Sequence, residues 1–458
     1  MPNTKFTKRD FLRFLGISIV SLIIEALNKP LSLMHKGLNR NIRTSEALAS
    51  EMPKKNRKYK QISKKNLLVE KAELSEIYLA KGGTPQKNIE TVLKMMGGID
   101  KLIGKKDIVI LKPNAQWWNQ GRTNLAAMKG FIDLVLNIPS FKGEIIIAEN
   151  HHFMDESLPE GEKDNVRGWT HFSEINGNID GVKHNLNTLI NLYREQGYKN
   201  VTKYHWRDGG PKRDIWGNGQ NGGIVESPAQ EDGYVWTDID YTFSGFFGLK
   251  KWKVKMTYPI FTSKYSKITI DLKNSAYKRD GKGGGYYLPD KPVKFINFAV
   301  LNTHGDDTGI TSSVKNYMGI TDLSCGSWGL EPEGYVNVHQ CGGKYYPYAK
   351  AGPLAYFMKT IRKADLNIVT AEWVGWGSRT KPTKATRMHS ILASRDSIAL
   401  DYYGAKYLVY PLSRNREYHD PDNPKSFVRK FLDLALETLG EGTLDEKKMK
   451  IHQYDFKL

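Results

Sequence analysis

Residues 301–319 read LNTHGDDTGITSSVKNYMG. An apolar run ends in a histidine, a turn rich in Gly and Thr follows, and the chain then enters Lys-Asn. A strand-to-loop junction of this kind exposes backbone N–H groups. Here it adds an imidazole at His304, hydroxyls at Thr308 and Thr311 and an ammonium at Lys315. The stretch reads as a ligand-gripping loop at the end of a buried strand.

Three further runs have the same form. Residues 107–111 (DIVIL), 144–148 (EIIIA) and 366–371 (LNIVTA) are short and rich in β-branched side chains, as is 295–301 (FINFAVL) before the loop. Residues 88–96 and 125–136 carry apolar positions at helical spacing. Continuous apolar strands separated by helices imply an α/β fold, a mostly parallel sheet flanked by helices on both faces. The strands end at Lys112-Pro113-Asn114, at Glu149-Asn150-His151-His152, at Asn302 and His304, and at Glu372. Ligands of such sheets bind beyond the carboxyl ends of the strands, so these residues define the expected site.

Between the two halves lies a different composition. Residues 153–289 hold Trp169, Trp206, Trp216, Trp236 and Trp252 among many Gly, Asn and Tyr. This reads as a large loop-rich, aromatic-rich insertion, with strands where residues 234–241 and 252–258 alternate. Its aromatics either line a carbohydrate platform or pack a small core of their own. Placed between two site-bearing halves, it is positioned to cover the crevice.

The loop resembles the signature of the domain of unknown function family 362. The family's form is Lys-x-His, a Thr-rich turn and Lys-Asn-x-x-Gly, met here at His304, Thr311, Lys315, Asn316 and Gly319. The chain departs from it at Asn302, where Lys is usual. The likeness covers two blocks, residues 105–150 and 294–408. IVILKPNAQWW at 108–118 resembles the family's strand followed by Lys-Pro-Asn, and Glu149-Asn150 stands where relatives carry a short acidic or polar segment. ILASRDSIALDYYGAKYL at 391–408 resembles its Asp-x-x-Ala-x-Asp helix start. The resemblance implies an α/β domain and names no reaction. One domain is expected over 67–458, interrupted by the insertion.

The formal net charge of +19 favours anionic ligands or surfaces. The basic residues are scattered and no nucleic-acid module is recognisable, so nucleic acid is set aside. Two cysteines, Cys325 and Cys341, exclude an iron–sulfur cluster or multi-cysteine zinc centre from this chain alone, although some relatives carry a ferredoxin-like segment. In an exported protein they would either form a disulfide, contributing about 3 kcal/mol, or remain small buried thiols.

The first 50 residues read as an export signal and leader. Residues 7–13, TKRDFLR, precede an apolar run over 14–27 broken by Glu25, which resembles a twin-arginine signal with Lys8 where Arg is usual. The run is shorter than the roughly 20 residues of a membrane span, so no stable span is expected after export. An amphipathic N-terminal helix is the other reading. Residues 51–66 are rich in Lys and poor in apolar side chains, an exposed linker. Periplasm or cell envelope is the expected location, and the twin-arginine export machinery the expected partner.

Lys112 and Lys315 are placed to clamp a carboxylate or phosphate, helped by the N–H groups of 309–311 and of the helix start that follows. Asn114, Asn302, Thr308, Thr311 and Asn316 supply polar groups around it. There is no GxxxxGK[ST] and no GxGxxG after the first strand, which argues against triphosphates and dinucleotides. Asp396 reads as a helix N-cap. Asp401, five residues on and about 140° around the helix, is then the better binding candidate. Glu149, His151 and His304 form a chemically reasonable open site for a divalent metal. If the site is catalytic, His304 would transfer protons because imidazole titrates near neutral pH, Lys112 and Lys315 would stabilise negative charge, and Glu149 or Asp401 would orient the histidine or a metal. The expectation is an exported α/β protein binding a small anionic ligand, with metal and reaction left open. The alternative is a non-enzymatic envelope protein that binds polysaccharide through the aromatic insertion.

Overall fold

Runs such as Ile108–Leu111 and Ile145–Ile147 can bury both faces only inside a sheet covered on both sides. In a computed structural model, describing residues 74–150, 168–206, 223–238, 240–245, 248–321 and 335–457, all these side chains are at most 1% exposed. The leader over 1–50, the linker over 51–66, His151, Trp216 and Cys325 lie outside the described residues.

The main sheet holds β1 (Ser75–Lys81), β2 (Ile108–Pro113), β3 (Glu144–Asn150), β4 (Val201–Trp206), β5 (Val293–His304), β6 (Gly309–Thr311), β7 (Leu366–Gly375), β8 (Ala385–Ser394) and β9 (Met449–Asp455). Their order is β9-β1-β8-β7-β5-β2-β3-β4, with β6 paired to β5. Neighbours from β7 through β4 run parallel, and β8 is antiparallel to both β7 and β1. The sheet is therefore mixed and mostly parallel, as expected. From β2 the chain builds outward through β3 and β4, whereas from β5 it builds the other way through β7. The β2–β5 boundary is a topological switch point, where a crevice opens beyond the strand ends.

Helices cover both faces. On one, α1 (Pro85–Met95), α2 (Leu125–Leu136) and α3 (Leu186–Glu195) bury Ile89, Val92, Phe131 and Leu189. On the other, α4 (Ala351–Thr360), α5 (Ser397–Gly404) and α6 (Phe427–Leu439) bury Leu354, Phe357, Ile398 and Phe431. Each fully buried side chain of this size stabilises the fold by about 1.5–3 kcal/mol. α2 starts where the spacing places it because Asn124 Oδ1 accepts the Ala127 N–H at 2.9 Å.

The middle segment is less separate than its composition suggests. α3 and β4 lie within it, and β4 pairs in parallel with β3, so residues 186–206 complete the main sheet. Its other described residues include an antiparallel pair, Ser173–Ile179 with Val182–His184, an antiparallel five-stranded sheet, from Gly233–Trp236 to Gly285–Tyr287, and two strands, Tyr241–Gly245 and Lys250–Val254, of a three-stranded sheet completed by Tyr335–Val336. The alternating runs at 234–241 and 252–258 each break, at 237–240 and 255–256, where the chain passes from one of these sheets into the other. Periodicity of two marks a strand and carries no information on which sheet it joins. Trp169 and Trp206 are fully buried and Trp252 nearly so, Trp206 and Trp252 in a core with Tyr234 and Phe261 and Trp169 in the other core with Phe131 and Leu189, so these indoles pack the interior. Among the described residues no helix is long and apolar enough to cross a membrane. Cys341 is a free buried thiol, its Sγ 3.7 Å from Ala349 O, and burial pushes it up to about 12.

Candidate functional site

A cleft opens at the switch point, lined by Lys112 on β2 and Asn114 just after it, Glu149 and Asn150 on β3, Asn302 and His304 on β5, Thr311 on β6, and then Lys315, Asn316 and Gly319. It spans about 430 Å³ including the part open to solvent, of which about 30 Å³ can take the centres of water-sized groups. That holds roughly two water-sized groups, the dimensions of a small ligand or of the head of a longer one. The structure thus brings together eight of the positions singled out in the sequence: Lys112, Asn114, Glu149, Asn302, His304, Thr311, Lys315 and Asn316.

Lys112 is fully buried, and its Nζ donates to Glu149 Oε2 at 2.7 Å, Pro113 O at 2.8 Å and Asn316 Oδ1 at 2.9 Å. Burial pulls the Lys112 ammonium down and pushes the Glu149 carboxyl up, while their mutual attraction opposes both. Three acceptors require all three N–H groups, so Lys112 is held as the ammonium with no donor left for a ligand. It contributes charge and structure to the cleft. Its partner Asn316 donates to Asn297 Oδ1 at 2.7 Å, and Asn297 in turn to Asn367 Oδ1 at 2.9 Å, a polar chain crossing the sheet centre. Gly319 lies against the pair, since a Cβ there would overlap Glu149 Oε1 and Lys112 Nζ.

Lys315 differs in kind. It is 8% exposed, and the partner of its Nζ is a thioether, Met318 Sδ at 3.7 Å. Burial pulls it down to about 8; Asp307 opposes the shift, while Lys350, Arg379 and Lys112 add to it. The amide oxygens of Asn114 and Asn302 are also buried without a hydrogen bond.

His304 Nδ1 lies 3.2 Å from Asp307 Oδ2, and Arg379 Nη1 is 3.1 Å from His304 Nε2. A guanidinium only donates, so Nε2 is an acceptor and Nδ1 carries the proton. The premise that this imidazole titrates near neutral pH is corrected. Burial first, then the charges of Lys315, Arg379 and Lys350, hold His304 well below its ordinary value. Asp307 also pairs with Lys350, and Arg379 stacks over the Trp117 ring at 4.7 Å. His339 lies within the same field, and burial and these cations lower it to about 4.

Other expected positions fall elsewhere. The Thr308 hydroxyl donates to Ile310 O at 2.8 Å and faces its own turn. Asp401 accepts from Ser313 N at 2.8 Å, Ser313 Oγ at 2.7 Å and Val314 N at 2.9 Å. It therefore occupies the helix-start N–H groups expected to hold an anion. The 309–311 backbone is likewise engaged, as β6 paired with Asn302 and Thr303. Asp401 is a positioning group: it fixes the turn Ser313–Asn316 that carries Lys315. Asp396 is the N-cap of α5, accepting from Ile398 N at 2.9 Å and Ala399 N at 3.0 Å. Glu372 sits at an irregularity within β7, which runs on to Gly375, and accepts from Arg387 Nε at 2.7 Å.

Asp307, Lys350, Arg379 and His339 belong to the site and were not singled out for it by the sequence. Asp307 is visible in the opening stretch, and Arg379 follows a strand end. Lys350 and His339 carry no local signal, because the fold brings them in from a distant stretch of chain.

The donors here suit an anion better than a metal. A divalent cation would have to displace Lys112 from Glu149 amid Lys112, Lys315, Lys350 and Arg379. Among the described residues no group of three His, Cys, Asp or Glu side chains is placed to hold one, and His151 lies outside them.

No curated protein and no solved structure matches the chain. A family model matches residues 293–406, coinciding with the second of the two blocks and leaving 105–150 outside. The stretch that supplies His304, Lys315, Asn316, Gly319 and the positioning Asp401 thus matches the family described as domain of unknown function (DUF362).

Proposed function

We propose that the cleft binds a small ligand through an anionic group, a carboxylate or phosphate. The observation that carries this is Lys315, a buried ammonium lining the cleft whose one hydrogen-bonding partner among the described residues is the Met318 thioether. Such a charge is costly unless paired. Around it stand Lys112, paired with Glu149, Lys350, paired with Asp307, and the Arg379 guanidinium, whose charges add to its own. An anion would supply the missing partner of Lys315.

Melting temperature in increasing inorganic phosphate and in increasing lactate, against chloride at equal ionic strength, tests the proposal. A rise with either anion that is lost in Lys315→Met supports it. A response no different from chloride overturns it.

Export to the periplasm or envelope rests on the N-terminal sequence, Lys8-Arg9 ahead of the short apolar run. Polysaccharide binding has less support, because Trp169, Trp206 and Trp252 are buried.

A further inference from the structure

Two lysines line this cleft and a third, Lys350, stands near it, and their bonding divides them. Lys112 Nζ is saturated by three oxygens. Lys350 Nζ is paired with Asp307 and also faces Pro347 O at 3.4 Å. Lys315 Nζ faces the thioether of Met318 and the cleft. The first two are fixed as ammonium groups by their acceptors. Among the described residues the third has no oxygen partner, and burial, reinforced by Lys350, Arg379 and Lys112 and opposed by Asp307, disfavours its charged form. Desolvation next to other cations is one of the ways an amine is made nucleophilic.

We infer that Lys315 is an imine-forming nucleophile and that the ligand class is a carbonyl compound bearing an anionic group, of which a 2-oxo acid is the simplest. This rests on the anion-binding reading above and goes beyond it by naming a covalent step. The uncharged amine forms the C–N bond through its lone pair, and one N–H proton passes to the carbonyl oxygen, giving a carbinolamine. The C–O bond then breaks, and the oxygen leaves as water with the second N–H proton. Carbonyl compound plus amine thus become imine plus water, with no oxidant or reductant. The charges of Lys112, Lys350 and Arg379 around the amine favour an anionic group on the ligand, and His304, whose ring nitrogens are held by Asp307 and Arg379, lines the same cleft. Burial and neighbouring positive charge bring Lys315 to about 8, so an appreciable uncharged fraction exists at mildly alkaline pH, unlike an ordinary lysine.

The test uses the full chain with pyruvate and borohydride, followed by digestion and mass mapping, alongside melting curves with pyruvate and with lactate, which lacks the carbonyl. The expected result is a reduced adduct concentrated on the peptide holding Lys315, at least tenfold over any other lysine, and absent in Lys315→Arg. Mapping on the unaltered protein makes the result independent of whether that variant folds. Stabilisation by both acids with no adduct at Lys315 overturns the imine and leaves the anion site standing. Adduct spread evenly over surface lysines overturns it too. No stabilisation by either acid and no adduct removes both readings.

Discussion

Lys112 Nζ lies 2.7 Å from Glu149 Oε2, joining the ends of two adjacent parallel strands inside the protein, with both side chains at most 5% exposed. Removing one member leaves a buried charge without its counter-ion, which costs about 3–5 kcal/mol. Lys112→Met and Glu149→Gln should each destabilise by that order. The double variant should recover a substantial part of it, seen as a positive coupling in denaturant unfolding. Additive losses would mean that the pair is not an energetic unit.

Gly319 packs where any side chain would strike this pair. Gly319→Ala should cost about 1–3 kcal/mol through overpacking and weaken anion-dependent stabilisation, since Lys315 precedes it on the same turn. Unchanged melting of the variant would show that the pair can shift aside.

Lys315 is lowered in the folded protein, from 10.5 to about 8. Between those values the unfolded chain binds the proton and the native one does not, so stability from this group rises as pH rises through the window. Below about pH 8 the unfavourable contribution is fully present, about 3 kcal/mol. Lys315→Met should therefore be more stable than the native chain at neutral pH without ligand, and the advantage should fade by about pH 10.5. Parallel stability–pH curves would refute this.

Asp401 touches no lining residue directly but caps the turn that carries Lys315 and Asn316. Asp401→Ala should destabilise by about 2–4 kcal/mol, from the loss of several buried hydrogen bonds. It should also lower anion affinity more than Thr308→Val, whose hydroxyl serves only its own turn. Equal affinities in the two variants would remove the positioning role.

His304 is held neutral, and its ordinary titration range is moved down by burial and by Lys315, Arg379 and Lys350. Its ring resonances should show no titration between about pH 5.5 and 7.5. Lys315→Met should move the inflection upward, because one of the depressing charges is gone. An inflection near 6.5 in the native chain would contradict the geometry.

The fold was legible to the extent that its signals are local. Runs such as 108–111 and 145–147 announce buried strands, and 125–136 announces its helix to the residue, because periodicity and capping depend on neighbours within one turn or one pleat. The carboxyl ends of those strands placed Lys112, Asn114, Glu149, His151, His304 and Glu372 at one edge, of which Lys112, Asn114, Glu149 and His304 line the cleft, Glu372 lies within β7 and His151 falls outside the described residues. Tertiary structure decided what each of them does there. Strand order set β2 beside β5 and β3, so that Lys112 is saturated by Glu149, Pro113 and Asn316 while Lys315 is left facing the cleft. Long-range packing brought Arg379 to His304 and Lys350 to Asp307, reversing the expectation of a neutral-pH imidazole. Asp401, 88 residues from Ser313, proved to be its cap. Charge and hydrogen bonding act through space, and the distances that set them are fixed by how the sheet is ordered.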